Sequence, residues 1–555
     1  MERLYRLKES RRARLTLAAT VAAVVVTAVG IGAGQGNAAP ARKAHTASHQ
    51  RKDADIKRPK LRHGALSVEG TEGNDTIALR LRAGNPGLLE VDVGANGSAE
   101  FSFDRSRVTS IAVDALAGDD AVRVDDGNGA FTDSIPTTID GGDGSDTIAG
   151  GKGAEVLVGG AGNDSIDGNG GNDAAFMGSG DDTFVWDPGD GSDTIEGQDG
   201  TDTMLFKGAD AAERVALFAN GSRLRFLRDP GNVAMDTAGV ERVDFAALGG
   251  ADVVTVDDLL GTDVGVVDID LGGDGNVDHV TVTGTNGDDR IDVAGDAAGL
   301  TVARGRALVA IQHQEPADEL AIDGLGGNDT ISAAALAAGA VTLTLDGGAG
   351  DDTLAGGKGV ETLLGGDGAD SLDGNAGNDL AVMGSGDDTF VWDPGDGSDV
   401  VEGEDGSDTM LFNGSNGADL VDVSANGSRL RFFRNPGTVT MDTAGVEQVD
   451  FAALGGADVV NVNDLSGTDV RGLDVDLGVG DGQADSIVLS GTNGDDAITV
   501  SGDAGGVTVK GLAPTIEILH SEATNDRLEI NTLAGTDTVD SSALDAGAIQ
   551  LFVDP

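Results

Sequence analysis

The chain has 555 residues, 89 of them glycine, with no cysteine, 3% aromatic residues and a formal net charge of −59. The lack of cysteine excludes a disulfide scaffold, thiolate zinc sites and a cysteine nucleophile, and the acidic balance excludes a phosphate-tracking nucleic-acid surface, which would be basic. So few aromatic residues exclude one large globular core, whereas repeated β coils that cover one another need little bulk.

Residues 1–41 read as a signal peptide. Arg3, Arg6, Lys8, Arg11, Arg12 and Arg14 precede an apolar run from Leu15 to Gly34, and Ala39-Pro40-Ala41 offers a small-residue cleavage site. Arg14 stands where a twin-arginine signal has an apolar residue, which favours the general secretory route. The run is rich in alanine and glycine and no second apolar span follows, so the expectation is a secreted, extracellular chain with no stable membrane insertion after cleavage. Residues 42–66 set eight Lys/Arg against Asp53 and Asp55 without apolar periodicity, the pattern of a basic disordered linker.

From residue 67 the chain is a duplication. Ala219-Asn220-Gly221-Ser222-Arg223-Leu224-Arg225-Phe226 returns 206 residues later as Ala425-Asn426-Gly427-Ser428-Arg429-Leu430-Arg431-Phe432. The expected order is a β module (67–140), a glycine–aspartate block (141–206), an intermediate β module (207–283), a β module (284–346), a second block (347–412), an intermediate module (413–490) and a last β module (491–555). Short alternating runs such as Val254-Thr255-Val256 and Val280-Thr281-Val282 predict strands in the modules. Half-motifs such as Gly249-Gly250-Ala251-Asp252 and Gly326-Gly327-Asn328-Asp329 suggest that the modules continue one irregular solenoid, with separate β-sandwiches as the alternative.

The blocks advance in nine-residue steps, beginning GGDGSDTIA, GGKGAEVLV, GGAGNDSID in the first and GGAGDDTLA, GGKGVETLL, GGDGADSLD in the second. An acid returns once per step at Asp146, Glu155, Asp164, Asp173 and Asp182, and again at Asp352, Glu361, Asp370, Asp379 and Asp388. The eighth position is apolar throughout: Ile148, Leu157, Ile166, Ala175 and Phe184, then Leu354, Leu363, Leu372, Ala381 and Phe390. Glycine pairs permit tight turns, and the last three residues of each step make a very short strand with one inward side chain. Two steps close one coil, so residues eighteen apart stack. Fourteen acids face Lys152 alone in 141–206 and sixteen face Lys358 alone in 347–412. Carboxylates stacked in this way repel unless a cation lies between them, and oxygen-rich turns suit a hard ion with six to eight oxygen ligands in flexible geometry better than magnesium or zinc.

These steps resemble the RTX, or haemolysin-type, calcium-binding nonapeptide G-G-x-G-x-D-x-U-x. The resemblance implies an all-β parallel β-roll, or β-solenoid, with two RTX-like blocks flanked by irregular β modules. It also implies calcium held in the turns by the ten step acids named above and by glycine-region carbonyls. Two departures stand out. Glu155 and Glu361 replace aspartate, and the phase slips by two residues at Trp186-Asp187-Pro188-Gly189 and Trp392-Asp393-Pro394-Gly395, where the implied ligand set stops.

No H-E-x-x-H, G-x-S-x-G or Walker lysine motif marks an enzyme. His313 and His520 are copies with Glu315 and Glu522 two residues on, but a zinc deaminase would need cysteines. Trp186 and Trp392 are expected to cap the roll, and Arg223, Arg225, Arg228 with their copies Arg429, Arg431, Arg434 to pair with acids on a solvent face. The functional expectation is a secreted, non-catalytic calcium-binding repeat protein that folds or stiffens on extracellular Ca2+. The alternative is a calcium-stiffened adhesin or matrix protein whose partner is a cell-envelope or extracellular polysaccharide. An enzyme with an unrecognised site ranks third.

Overall fold

The computed structural model describes residues 57–95, 97–480 and 482–554. The expected signal peptide and the linker up to residue 56 lie outside them. The chain divides into residues 1–54 and 55–555, and the described residues belong to the second unit. Among these there is no α-helix, only two single-turn 3-10 segments and 48 strands, and no helix is long and apolar enough to cross a membrane.

The strands form two sheets of 24, predominantly parallel within each sheet. Within each sheet the pairings run in one unbranched line. The first sheet ends at Lys57–Arg62 and Gln550–Asp554, the second at Phe101–Asp104 and Thr538–Leu544, so both are open. At the ~4.8 Å spacing of paired strands, 24 of them stack over roughly 110 Å. This is the parallel β-roll implied by the repeats. Pairing continues from block to module without a break, as where Thr203–Asp210 pairs with Arg242–Gly249 and that strand with Val266–Asp270.

One coil is Thr137–Asp143 in the first sheet, a turn, Thr147–Ala149 in the second, and a turn back to Glu155–Ala161. Residues eighteen apart stack in register, Leu157 on Ile139 and Ile166 on Ile148. All ten eighth-position side chains are buried, because side chains alternate along a strand and this position points between the sheets. The turns stack at backbone contact. A β-carbon on Gly162, which holds φ +132, would stand 2.0 Å from the Gly144 carbonyl oxygen, so the motif glycine there is obligatory.

Three features differ from expectation. The linker expected through residue 66 is structured from Lys57: Pro59 is buried and Leu61 packs on the core, while Lys60 and Arg62 alternate outward, and Lys57–Arg62 pairs antiparallel with Ala65–Thr71. A two-residue alternation hidden among basic residues was enough to make an edge strand. The tryptophans do not cap the roll. Trp186 is fully buried mid-stack, its ring 3.9 Å from and nearly parallel to Phe206, which packs on Phe226; Trp392 repeats this with Phe412 and Phe432. The two extra residues widen the coil to twenty, so that Asp173 meets Asp193 and Asp182 meets Asp202, and the larger rings lie in that coil. Finally, the parallel run is interrupted by antiparallel meanders such as Arg214–Asn220, Arg223–Asp229 and Val233–Ala238. There Arg223 and Arg225 pair with Asp236 on the outer face. Arg228 instead faces inward, buried on Glu213 and 5.3 Å above the Trp186 ring, because an offset of three or five along a strand reverses the face.

Candidate calcium site

Each step acid sits at the junction of turn and strand. Its own carbonyl accepts the first N–H of the strand one coil on, as Asp146 O does from Ser165 at 2.8 Å. Its side chain reaches the other way. Asp164 Oδ1 accepts the Asp146 N–H at 2.8 Å and Asp182 Oδ1 the Asp164 N–H at 2.7 Å. Along the second block Asp370 and Asp388 do the same for Asp352 and Asp370. On the opposite edge Asp173 accepts from Glu155 and Asp379 from Glu361. The ten predicted residues therefore form two ladders per block: Asp146, Asp164, Asp182 on one edge with Glu155, Asp173 on the other, and Asp352, Asp370, Asp388 with Glu361, Asp379. Acids of opposite edges are not brought together.

One oxygen of each aspartate is used in this way; the other is not. Oδ2 of Asp146, Asp164, Asp173, Asp182, Asp352, Asp370, Asp379 and Asp388 is buried without any hydrogen-bond donor. The surrounding atoms are oxygens too. A β-carbon on Gly159 would stand 2.5 Å from Asp164 Oδ2 and 2.3 Å from the Met177 carbonyl, and one on Gly141 would stand 2.3 Å from Asp146 Oδ2 and 2.7 Å from the Gly159 carbonyl. Buried polar atoms are almost always paired, so a repeated column of donor-free carboxylate and carbonyl oxygens is a place for a hard cation. Among the described residues no three His, Asp or Glu side chains converge on one point, so backbone carbonyls must complete any coordination shell.

Electrostatics point the same way. Burial pushes the Asp164 carboxyl up to about 6, Asp173 to about 8 and Asp370 and Asp379 to about 7, with the neighbouring ladder acids adding to the rise and the backbone N–H opposing it. Without a counter-charge these groups resist ionisation; a cation beside them reverses that balance.

The glutamates behave differently. Glu361 turns both oxygens back onto the Gly357 and Gly359 N–H groups of its own turn, and Glu155 Oε2 takes the Gly151 N–H at 2.6 Å, leaving only Oε1 without a donor. The longer arm of Glu361 satisfies within its turn what aspartate leaves open, whereas Glu155 still keeps one open oxygen.

Sequence reasoning also missed ladder members. Past the phase slip, Asp193, Asp202, Asp399 and Asp408 carry the same donor-free Oδ2; the acids were visible, but the two-residue insertion concealed that their turns keep the geometry. Asp120 and Asp329 precede the blocks on the ladder, each hydrogen-bonded to the first block acid through its own N–H. The signal for these was the half-motif glycine and acid of Gly118-Asp119-Asp120 and Gly327-Asn328-Asp329. The duplicated histidines lie on the surface, His313 Nδ1 2.6 Å from Asp270 and His520 Nδ1 2.6 Å from Asp476.

The family model for the RTX calcium-binding nonapeptide repeat matches residues 138–154, 149–184, 189–207, 344–360, 356–390 and 395–421. No curated protein matches the chain. Among solved structures, the extracellular lipase LipA from Serratia marcescens aligns over 61% of this chain and 43% of that one at 17% identity, with a TM-score of 0.14; the chain thus spans less than half of that protein. The two blocks whose aspartate ladders form these oxygen-lined turns are thus identified as RTX calcium-binding nonapeptide repeats.

Proposed function

We propose that this chain is an exported, non-catalytic β-roll whose two blocks fold or stiffen when they meet extracellular calcium. Asp146, Asp164, Asp173, Asp182, Asp352, Asp370, Asp379 and Asp388 are the side-chain ligands, and Glu155 and Glu361 are weaker ones. The observation that carries the reading is the column of buried aspartate oxygens that have no donor. Calcium supplies the positive charge and the preference for oxygen that such turns call for. The chain supplies the rest: Oδ1 of each aspartate locks one coil to the next through a backbone N–H, which holds Oδ2 and the glycine carbonyls in place. Export is supported by the amino-terminal charge and hydropathy pattern, and an affinity of roughly 0.1–1 mM suits an extracellular module.

The test is a calcium titration of the chain followed by circular dichroism, beside a variant carrying Asp164→Ala and Asp370→Ala. A gain of β signal that calcium produces, magnesium does not, and the variant blunts is expected. A spectrum already β-rich in chelator and indifferent to calcium would sink the proposal.

A further inference from the structure

Two classes of ladder aspartate are distinguished by the residue four positions earlier. Where that residue is left-handed, the acid keeps a donor-free Oδ2. Gly160 before Asp164 holds φ +116, Gly366 before Asp370 φ +118 and Gly384 before Asp388 φ +111, while Asn169 before Asp173 holds φ +54. Among the described residues five leucines adopt this conformation outside the matched repeats, Leu454 at φ 68 and Leu533 at φ 65 among them. The other three, Leu116 at φ 80, Leu248 at φ 70 and Leu325 at φ 73, stand four residues before Asp120, Asp252 and Asp329. A branched apolar residue pays for a left-handed backbone with roughly 1–2 kcal/mol, so these turns are held in shape by their stack. The shape is that of the repeats. A β-carbon on Gly142 would stand 2.0 Å from the Leu116 carbonyl, and one on Gly160 stands equally close to the Gly142 carbonyl.

Asp120, Asp252 and Asp329 are each at most 2% exposed. Oδ1 of each accepts a ladder N–H, from Asp75, Glu213 and Asp289 respectively, and Oδ2 of each is buried without a donor. Burial pushes the three carboxyls up to about 6, 7 and 6.

The second class has threonine in that place. Thr71 gives Asp75 Oδ2 its N–H at 2.6 Å and its hydroxyl at 3.0 Å; Thr285 does so for Asp289 Oδ2 at 2.5 and 2.9 Å. Thr492 gives its N–H to Asp496 Oδ2 at 2.8 Å and its hydroxyl to Oδ1 at 3.0 Å. None of these threonines is left-handed. The Thr71 and Thr285 hydroxyls also face the Gly73 and Gly287 carbonyls at 3.2 Å, engaging the backbone oxygen that a cation would use.

We infer that Asp120, Asp252 and Asp329 are additional calcium-holding positions outside the nonapeptide repeats, and that threonine replaces the cation at the turns of Asp75, Asp289 and Asp496. The inference rests on the calcium reading of the repeats and extends it to turns of the form Leu-x-Gly-x-Asp. The hydroxyl-capped turns of Asp75 and Asp289 then stand without metal and lead, one coil on, into Asp120 and Asp329, whose turns require it.

The experiment counts calcium bound to the full chain by equilibrium dialysis. The triple variant Asp120→Asn, Asp252→Asn, Asp329→Asn keeps the Oδ1 ladder bond and is expected to lose one ion per acid replaced. The triple variant Asp75→Asn, Asp289→Asn, Asp496→Asn is expected to keep the wild-type count. An unchanged count in the first triple, while Asp164→Ala with Asp370→Ala lowers it, overturns the inference and leaves the repeat sites standing; a wild-type chain that binds no calcium overturns both. Should the asparagine triple fail to fold, Leu116→Thr, Leu248→Thr, Leu325→Thr supplies the missing donors. It is expected to lose the same ions while melting at a higher temperature in chelator, and an undiminished count there overturns the inference as well.

Discussion

Removing calcium perturbs the first block in a way the structure makes quantitative. Six of its acids, Asp146, Asp164, Asp173, Asp182, Asp193 and Asp202, hold a buried oxygen without a donor. A buried polar atom left unpaired costs about 1–3 kcal/mol, so six cost roughly 6–18 kcal/mol, the scale of a whole domain's stability of ~5–15 kcal/mol. Calcium at ten times its dissociation constant contributes about 1.4 kcal/mol per site if it binds only the folded form, or roughly 8 kcal/mol over six. The calcium-free block should therefore be unfolded or marginal, and the loaded one ordered. Amide hydrogen exchange reads this residue by residue. The Ser165 and Thr183 amides, bonded to the Asp146 and Asp164 carbonyls at 2.8 Å, should lose protection in chelator. Amides of the meander Arg223–Asp229, where Arg228 already neutralises Glu213, should keep most of theirs. Equal protection of Ser165 and Thr183 with and without calcium would refute the reasoning, as would loss of protection spread evenly over block and meander.

In chelator the roll should melt higher at pH 5 than at pH 8. The folded-state values of about 6 for Asp164 and Asp202, 7 for Asp193 and 8 for Asp173 lie above the ordinary 3.8, so the folded state binds more protons between those limits and stability falls as pH rises through them; a melting temperature flat or rising over that window contradicts this. Gly162→Ala adds a left-handed side chain 2.0 Å from a carbonyl of the previous coil and should destabilise by about 2–5 kcal/mol. Gly170→Ala, whose nearest neighbour is 3.6 Å away, should stay within about 1 kcal/mol of wild type, and equal effects in urea melts would show that the turns do not stack as described. The chain's two tryptophans are both fully buried, so their fluorescence should shift to the blue as calcium is added to chelated protein. Trp186→Ala should cost ~3–5 kcal/mol even at saturating calcium, and a wild-type red-edge emission in calcium would argue against the interior aromatic column.

The features legible in the sequence were those that repeat at a fixed interval. A glycine pair, an acid and one apolar residue every nine positions sufficed to place Ile148 and Ile166 inside and Asp146 above Asp164, because each of those placements depends only on the local turn and the eighteen-residue coil. The antiparallel meanders carried a signal that periodicity concealed: Gly221-Ser222 between two alternating runs is a two-residue hairpin turn. Trp186 was misplaced because its surroundings come from Phe206 and Phe226, twenty and forty residues away, at an interval that exists only after the coil has widened.

Leucine at a left-handed turn could not be read forward, and the reason is physical. Local preference places glycine or asparagine there, as at Gly160 and Asn169, and counts leucine against the conformation. Leu116 and Leu325 adopt it because their carbonyls lie against Gly142 and Gly348 of the following coil, and because Asp120 and Asp329 already bind the coil before through Oδ1. The turn is thus imposed by its neighbours on both sides. The same coupling makes the ladder cooperative: whatever neutralises Oδ2 in one coil steadies the aspartate whose Oδ1 anchors the previous coil, so order spreads along the stack by nearest-neighbour contact. On this edge the first ladder runs from Asp75 to the Glu241 side chain, which accepts the Asp202 N–H, and the second from Asp289 to Glu447, which accepts that of Asp408. Each ladder starts on an aspartate capped by its own threonine and ends on a glutamate, which gives the two blocks separate limits within one continuous roll.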